Sequence, residues 1–248
     1  MSNAAETARA LHSMNPYYEL DTRTVAAAVA SLGSQLGGRL LEVGCGAIPY
    51  KSLLASHVRR HVASDRGRYH PAVEVVSDGA SLGFRDASFD SVLCTQVLEH
   101  VPDAQAVLLE IARVLRPGGL ALVTVPLNSG LHMIPDDYFR FTEYGLTVLC
   151  RHAGLQAEVI AERGGRIAAA AQTILLIFEN DRMPTHHLGA AVARRLIGAF
   201  CWFIRRCALP LDRQFPKRGN PLGYALLARK PDGSPASQRR SGGLGSRH

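Results

Sequence analysis

Between Arg39 and Val43 a short apolar run ends in Gly44-Cys45-Gly46, and this junction constrains the fold more than any other stretch of the chain. Consecutive apolar positions suit a strand buried on both faces, the environment of a parallel sheet covered by helices. Two glycines directly after it, lacking Cβ, let the backbone turn sharply and approach a ligand closely. In open α/β sheets ligands lie beyond the carboxyl ends of the strands, which is where this turn falls.

Four further strand candidates follow at Val62 to Ser64, Val73 to Val76, Ser91 to Cys94 and Leu120 to Val125. The clearest helix between them is Ala104 to Leu115, where Val107, Leu108, Ile111 and Leu115 share a face before Pro117-Gly118-Gly119 stops it. An earlier helix is expected from about Asp21 to Leu36, capped by Asp21 or Thr22 and ended by Gly37-Gly38. Strands alternating with helices imply an α/β fold with a doubly wound, mostly parallel sheet. Beyond Pro126 the pattern predicts a loop, a helix from about Thr142 to Ala153 and a strand near Gln156 to Ile160. Two apolar helices around 165–178 and 188–208 and a last strand from Gly223 to Lys230 follow. The expected organisation is an arm over 1–20, a ligand-binding domain over 21–162, helices and a final strand over 163–230, and a disordered tail over 231–248.

The net charge of +7 is unevenly spread. Residues 1–180 carry 15 Lys/Arg against 18 Asp/Glu, and residues 181–248 carry 13 against 3. A basic segment beside an acidic body points either to an anionic partner surface or to ordinary solvated charge. Within it, 188–211 mixes Leu196, Phe200, Trp202 and Phe203 with Arg194, Arg195, Arg205 and Arg206. That composition fits an interfacial helix making peripheral membrane contact, or equally a helix packed on the domain with snorkelling arginines. Nucleic acid is not favoured, because the basic residues lie outside the motif-bearing region and no nucleic-acid module accompanies them. Five cysteines without C-x-x-C spacing read as small buried hydrophobes of a reducing cytosol. With no secretory signal and no apolar run of ~20 residues, a cytoplasmic protein, at most membrane-peripheral, is expected.

Glu42 ends the first strand, and a buried acid there needs a cation or hydrogen-bond donors, which an α-amino group would supply. Asp65 ends the second strand candidate, where a carboxylate can accept both hydroxyls of a ribose. Asp78 follows the third, where it could accept the exocyclic amine of adenine. Asp65 and Asp78 each have an ordinary reading as a turn residue, but their arrival after successive strands favours one shared ligand. Pro49 occupies the last position of a G-x-G-x-x-G pattern, which counts against a dinucleotide and an NAD-dependent oxidoreductase.

Together, LLEVGCG, the acid at Asp65, SDGASLGFRDASFDSVLCTQVLEHV and RVLRPGGLALVTVP resemble class I methyltransferases of the type 11 methyltransferase domain group, over roughly residues 38–162. The resemblance implies a seven-stranded, Rossmann-like sheet that binds S-adenosyl-L-methionine, making 21–162 a methyltransferase domain. It puts Glu42, Gly44 and Gly46 near the methionine part, Asp65 at the ribose, Asp78 at the adenine and Gln96 along the cofactor. Ile48 departs from it, standing where many relatives have a third glycine.

The acceptor side is sought in SGLHMIPDDYFRFTEYGL after the fifth strand. His132 is the leading base candidate, with Tyr138 beside it and Asp136, Asp137 and Arg140 as further pocket residues. The resembling group often carries a similar Asp-Tyr-Phe-Arg-Phe-Thr run, which could equally build the cleft wall. His100 is a second base candidate that could instead satisfy backbone groups. No metal site is expected, since no His/Cys/carboxylate set has ligand spacing. The function expected is methyl transfer to a small-molecule, lipid-linked or glycan acceptor, with a non-catalytic S-adenosylmethionine-binding regulator as the alternative.

Overall fold

The computed structural model describes residues 18–179, 188–216 and 219–233. In chain order these form α1 (Glu19–Leu32), β1 (Gly38–Val43), α2 (Lys51–Leu54), β2 (Val58–Asp65), β3 (Val75–Val76) and β4 (Phe89–Thr95). Then come α3 (Ala104–Val114), β5 (Leu115–Pro126), α4 (Glu143–His152), β6 (Gln156–Arg163), α5 (Arg166–Glu179), α6 (Leu188–Gln214) and β7 (Gly223–Arg229). One seven-stranded sheet results, in the order β3-β2-β1-β4-β5-β7-β6. β1 to β5 pair in parallel, while β7 runs antiparallel to both β5 and β6. The expected doubly wound, mostly parallel sheet is therefore present, and the chain reverses direction across the sheet between β1 and β4, at a topological switch point.

Neighbouring apolar residues in each central strand divide between the two faces. Leu41, Val92, Val123 and Leu226 meet Val107, Leu108 and Ile111 of α3 and Leu146 of α4. Leu40, Leu93, Leu122 and Leu227 meet Val25 and Val29 of α1 and Leu54 of α2. Burial on both faces is why these strands read as continuous apolar runs, each fully buried Leu contributing about 1.5–3 kcal/mol. A third cluster packs α5 on α6 through Ala168, Leu175, Cys201 and Ala208, with Leu20 and Leu222 joining it to the sheet.

Helix ends follow local chemistry, with departures from expectation: α1 already stops at Leu32, ahead of the expected Gly37-Gly38. Asp103 and Thr142 cap α3 and α4 by accepting Ala106 N at 2.9 Å and Gly145 N at 3.1 Å. Asp212 of α6 accepts the amides of Gly165, Ile167 and Ala168 at 2.6–3.1 Å, so one helix caps the next. Asp21 and Thr22 do not cap α1, which begins earlier, at Glu19; the Asp21 carboxylate is taken by Arg163 at 3.0 Å and Gln96 at 3.1 Å. Pro117-Gly118-Gly119 does not follow a helix end directly: α3 stops at Val114 and this triplet opens the long strand β5.

α6 runs further than expected, to Gln214, with Pro210 inside it. Val192, Leu196, Phe200 and Phe203 lie exposed along one stripe with Arg195 and Arg206 exposed nearby, while Cys201 and Ala208 face α5. No helix among the described residues is long and apolar enough to cross a membrane. The expected arm lies outside the described residues up to position 17, and the expected tail from position 234.

The Arg163 guanidinium, only 2% exposed, bonds to Asp21, to Thr24 Oγ1, to Gln96 Oε1 and to the carbonyls of Val125 and Tyr224. Removing one partner of a buried ion pair typically costs about 3–5 kcal/mol. Arg163→Met is expected to lower unfolding free energy in urea by about 3 kcal/mol; a change below about 1 kcal/mol would show that the network carries no stability.

Candidate active site

β1 delivers its turn to the carboxyl edge of the sheet beside β2 and β4. Gly44 (φ +67°) and Gly46 (φ +48°) both sit in the left-handed region. Their surroundings differ. A Cβ on Gly44 would stand 2.3 Å from Val97 Cγ2, so this glycine is demanded by packing, whereas a Cβ on Gly46 would meet nothing within 4 Å. Ile48 also adopts φ +48°, an uncommon conformation for a β-branched residue. The loop thus keeps a glycine-like backbone where the third glycine is missing, and Ile48 packs against Cys45, Ala63 and Val73.

Glu42 is 1% exposed, and Oε2 receives a 2.6 Å hydrogen bond from Nε2 of His61 on the adjacent strand. Oε1 has no hydrogen-bond partner among the described residues. Burial raises the Glu42 pKa, and His61 works against that rise. Asp65 does reach the loop: Oδ2 accepts Gly46 N at 2.8 Å and Oδ1 accepts Arg66 N at 2.7 Å. Each oxygen keeps a second lone pair. Asp78 forms a turn by accepting Ala80 N through Oδ1 at 2.9 Å, leaving Oδ2 available at an exposed position. Gln96 turns the chain at φ +53° after β4. Its amide binds Asp21, Arg163 and Thr124, so one amide hydrogen remains for anything else. Cys45, buried within the loop, has its thiol pushed up to about 12, chiefly by burial, and is no nucleophile at neutral pH.

The segment after β5 folds back across the strand ends. Arg66, next to Asp65, donates to Asp136 Oδ2 at 2.6 Å, and Tyr138 Oη donates to Asp136 Oδ1 at 3.2 Å. This chain of bonds joins the loop after β2 to the loop after β5, spanning β1 and β4. Tyr138 is 44% exposed, and its pKa is raised by desolvation and by Asp136. Asp137 holds Arg140 through two bonds of 2.6 and 2.9 Å, and Arg140 keeps its carboxyl down at about 2. Arg140 also donates to the carbonyls of Ser129, Gly130 and Phe139. Asp137 and Arg140 therefore set the shape of the loop, as the wall reading of this run anticipates.

His132 and His100, read as separate candidates in the sequence, are in edge contact with ring centroids 4.7 Å apart. His100 Nδ1 donates to Asp136 O at 2.5 Å, and His132 Nδ1 donates to Gly130 O at 3.1 Å. A carbonyl can only accept, so both imidazoles, when neutral, keep the Nε2 lone pair. Burial lowers the His100 pKa. Beneath them lies Glu99, unremarked in the sequence: it is 0% exposed, neither carboxylate oxygen is hydrogen-bonded to another described residue, and burial raises its pKa to about 8. An acid followed by His at a strand end is the signal that could have flagged it.

A Rossmann-like sheet with a glycine turn, a buried acid and a second acid grouped at the switch point defines an α/β protein that takes a nucleoside-containing ligand at that edge. A model of the methyltransferase domain family matches residues 41–123. The chain is 31% identical to 27-O-demethylrifamycin SV methyltransferase of Amycolatopsis mediterranei, over 86% of this chain and 85% of that protein. It is 35% identical to a ubiquinone biosynthesis O-methyltransferase of Xanthomonas campestris pv. campestris, over 52% of this chain and 58% of that protein. Among solved structures, the Burkholderia thailandensis 1,6-didemethyltoxoflavin-N1-methyltransferase with S-adenosylhomocysteine shares the fold at TM-score 0.51 and 20% identity, over 85% of this chain and 77% of that one. The chain belongs to the class I S-adenosylmethionine-dependent methyltransferases. Its cofactor is S-adenosylmethionine.

The two loop glycines separate stability from binding. Gly44→Ala is expected to lower the unfolding temperature strongly through the Val97 clash. Gly46→Ala costs only the left-handed backbone term of about 1–2 kcal/mol but weakens S-adenosylhomocysteine by at least about tenfold, because the new methyl fills the open side of the loop. Thermal unfolding and calorimetry on both variants check this; equal binding by Gly46→Ala and wild type contradicts it.

Proposed function

We propose that this methyltransferase transfers its methyl group to a hydroxyl oxygen of a small organic acceptor held over the carboxyl ends of β4 and β5. S-adenosylmethionine supplies an activated methyl on a sulfonium sulfur. The residues present fit it: Glu42 Oε1 is a buried acceptor suited to an α-amino group, and Gly46 leaves its loop open to close approach. Asp65 keeps lone pairs for two ribose hydroxyls, Asp78 Oδ2 can accept an adenine amine, and Gln96 lines the edge beside them. With the donor already activated, positioning can supply much of the rate, since well-oriented groups reach effective molarities of about 10⁵–10⁸ M.

The observation that carries the oxygen acceptor is the gathering of lone-pair donors at Glu99, His100 and His132. An alcohol or phenol must lose a proton during transfer, and the imidazole lone pairs of this cluster can accept it. Two relatives are named for O-methylation, which supports the same atom. His132 belongs to this cluster, whereas Tyr138, exposed and bonded to Asp136, is assigned to contact with the acceptor at the rim.

A labelled-methyl transfer assay over panels of phenols, aliphatic alcohols and amines of matched size tests the reading. Oxygen acceptors are expected to be labelled and to lose at least about tenfold in rate with His132→Ala. Labelling confined to amines contradicts it. The exposed apolar and arginine-flanked side of α6 suits delivery of a lipid-linked phenol, so the panel includes one in anionic vesicles; transfer to it no faster than to its water-soluble headgroup removes that class.

A further inference from the structure

Glu99, His100 and His132 each offer one ligand atom, and the three atoms lie within 4.8 Å of one another. Ligand atoms on one ion with bonds of about 2.0–2.2 Å stand no more than about 4.4 Å apart, so the three side chains would draw in slightly to close on it. Glu99 comes from the short turn after β4 and has no access to solvent; neither of its oxygens has a hydrogen-bond partner in another described residue, although His100 Nε2 stands 3.9 Å from Oε1. A buried acid in that condition stays protonated unless a cation or donor meets its charged form. Both imidazoles give Nδ1–H to a backbone carbonyl, Asp136 O for His100 and Gly130 O for His132. Metal-binding histidines are typically oriented in this way, one ring nitrogen tied to a carbonyl or carboxylate and the other turned to the ion. Asp137 Oδ2, 3.5 Å from His132 Nδ1, adds an outer carboxylate. The nearby Arg140 does not compete for the position, since its guanidinium is committed to Asp137 and to loop carbonyls.

We propose that Glu99, His100 and His132 form a binding site for a divalent cation of the zinc type, beside the methyl-donor cleft. Two imidazole nitrogens and one carboxylate suit borderline ions such as Zn²⁺, and three protein ligands leave a coordination position open. The inference rests on the reading of this edge as the acceptor side and sharpens it: the acceptor's oxygen meets a cation in place of an imidazole lone pair. Spacing along the chain concealed the set, because His132 reaches Glu99 and His100 only through the fold-back of the loop after β5.

Zinc chloride titrated by calorimetry into metal-free full-length protein tests the site, alongside Glu99→Gln and His132→Ala. S-adenosylhomocysteine binding and thermal unfolding are read on the same samples. One zinc ion per chain is expected to raise the unfolding temperature, and each substitution is expected to weaken zinc by at least about a hundredfold while S-adenosylhomocysteine still binds. Zinc binding that is absent from protein able to bind S-adenosylhomocysteine overturns the inference and leaves the methyltransferase reading standing. Zinc binding undiminished by both substitutions, as for an ion held on cysteine, also overturns it. So does a Glu99→Gln protein that gains stability and keeps its zinc.

Discussion

A single buried guanidinium holds the carboxyl edge of the sheet together. Arg163 ends β6, yet its bonds reach α1 through Asp21 and Thr24, the turn after β4 through Gln96, and the backbones of β5 and β7 through Val125 and Tyr224. A charge removed from water must find all its partners in place, so the network specifies how these elements meet. Gln96 is the member that matters for chemistry. Once its turn is fixed, Val97 lies against Gly44 and the chain continues directly into Glu99 and His100.

Two chemically distinct halves result. On the proposed donor side acids dominate: Glu42 is half satisfied by His61, and Asp65 is tied to the glycine loop through Gly46. On the proposed acceptor side lie imidazoles over a buried carboxyl group, walled by the Asp137–Arg140 pair. The Arg66–Asp136 ion pair crosses between them, so the loop that carries His132 is anchored next to the residue proposed to hold the ribose. Such an exposed pair adds little stability on its own. Its value is geometric.

The sheet was legible because its strands are buried on both faces and therefore read as unbroken apolar runs such as Leu40-Leu41 and Val92-Leu93. The glycine loop was legible because glycines and acids recur at strand ends, whose position is set by local sequence. What escaped depends on register and on long-range folding. His61 meets Glu42 only because β2 pairs with β1 in one register, and nothing near His61 announces it. Asp21 looks like a helix cap from its neighbours, but Arg163, far away in sequence, claims its carboxylate. Glu99 sits in the most family-like stretch of the chain, and its significance appears only with its burial and with His132 folded above it. Ile48 was visible as a departure, while the left-handed backbone it retains was not.

The central claim is that the carboxyl edge of β1 and β2 holds the methyl donor, with Asp65 on its ribose. A double cycle tests it most directly: S-adenosylhomocysteine and its 2′-deoxyribose analogue are each titrated into wild-type and Asp65→Ala protein. Hydrogen bonds to a charged acceptor contribute about 1.5–3 kcal/mol, so the wild type should lose at least about tenfold in affinity on deletion of the hydroxyl, and the variant should lose almost nothing. An equal loss in both proteins would contradict the assignment, because Asp65 would then make no contact with that hydroxyl.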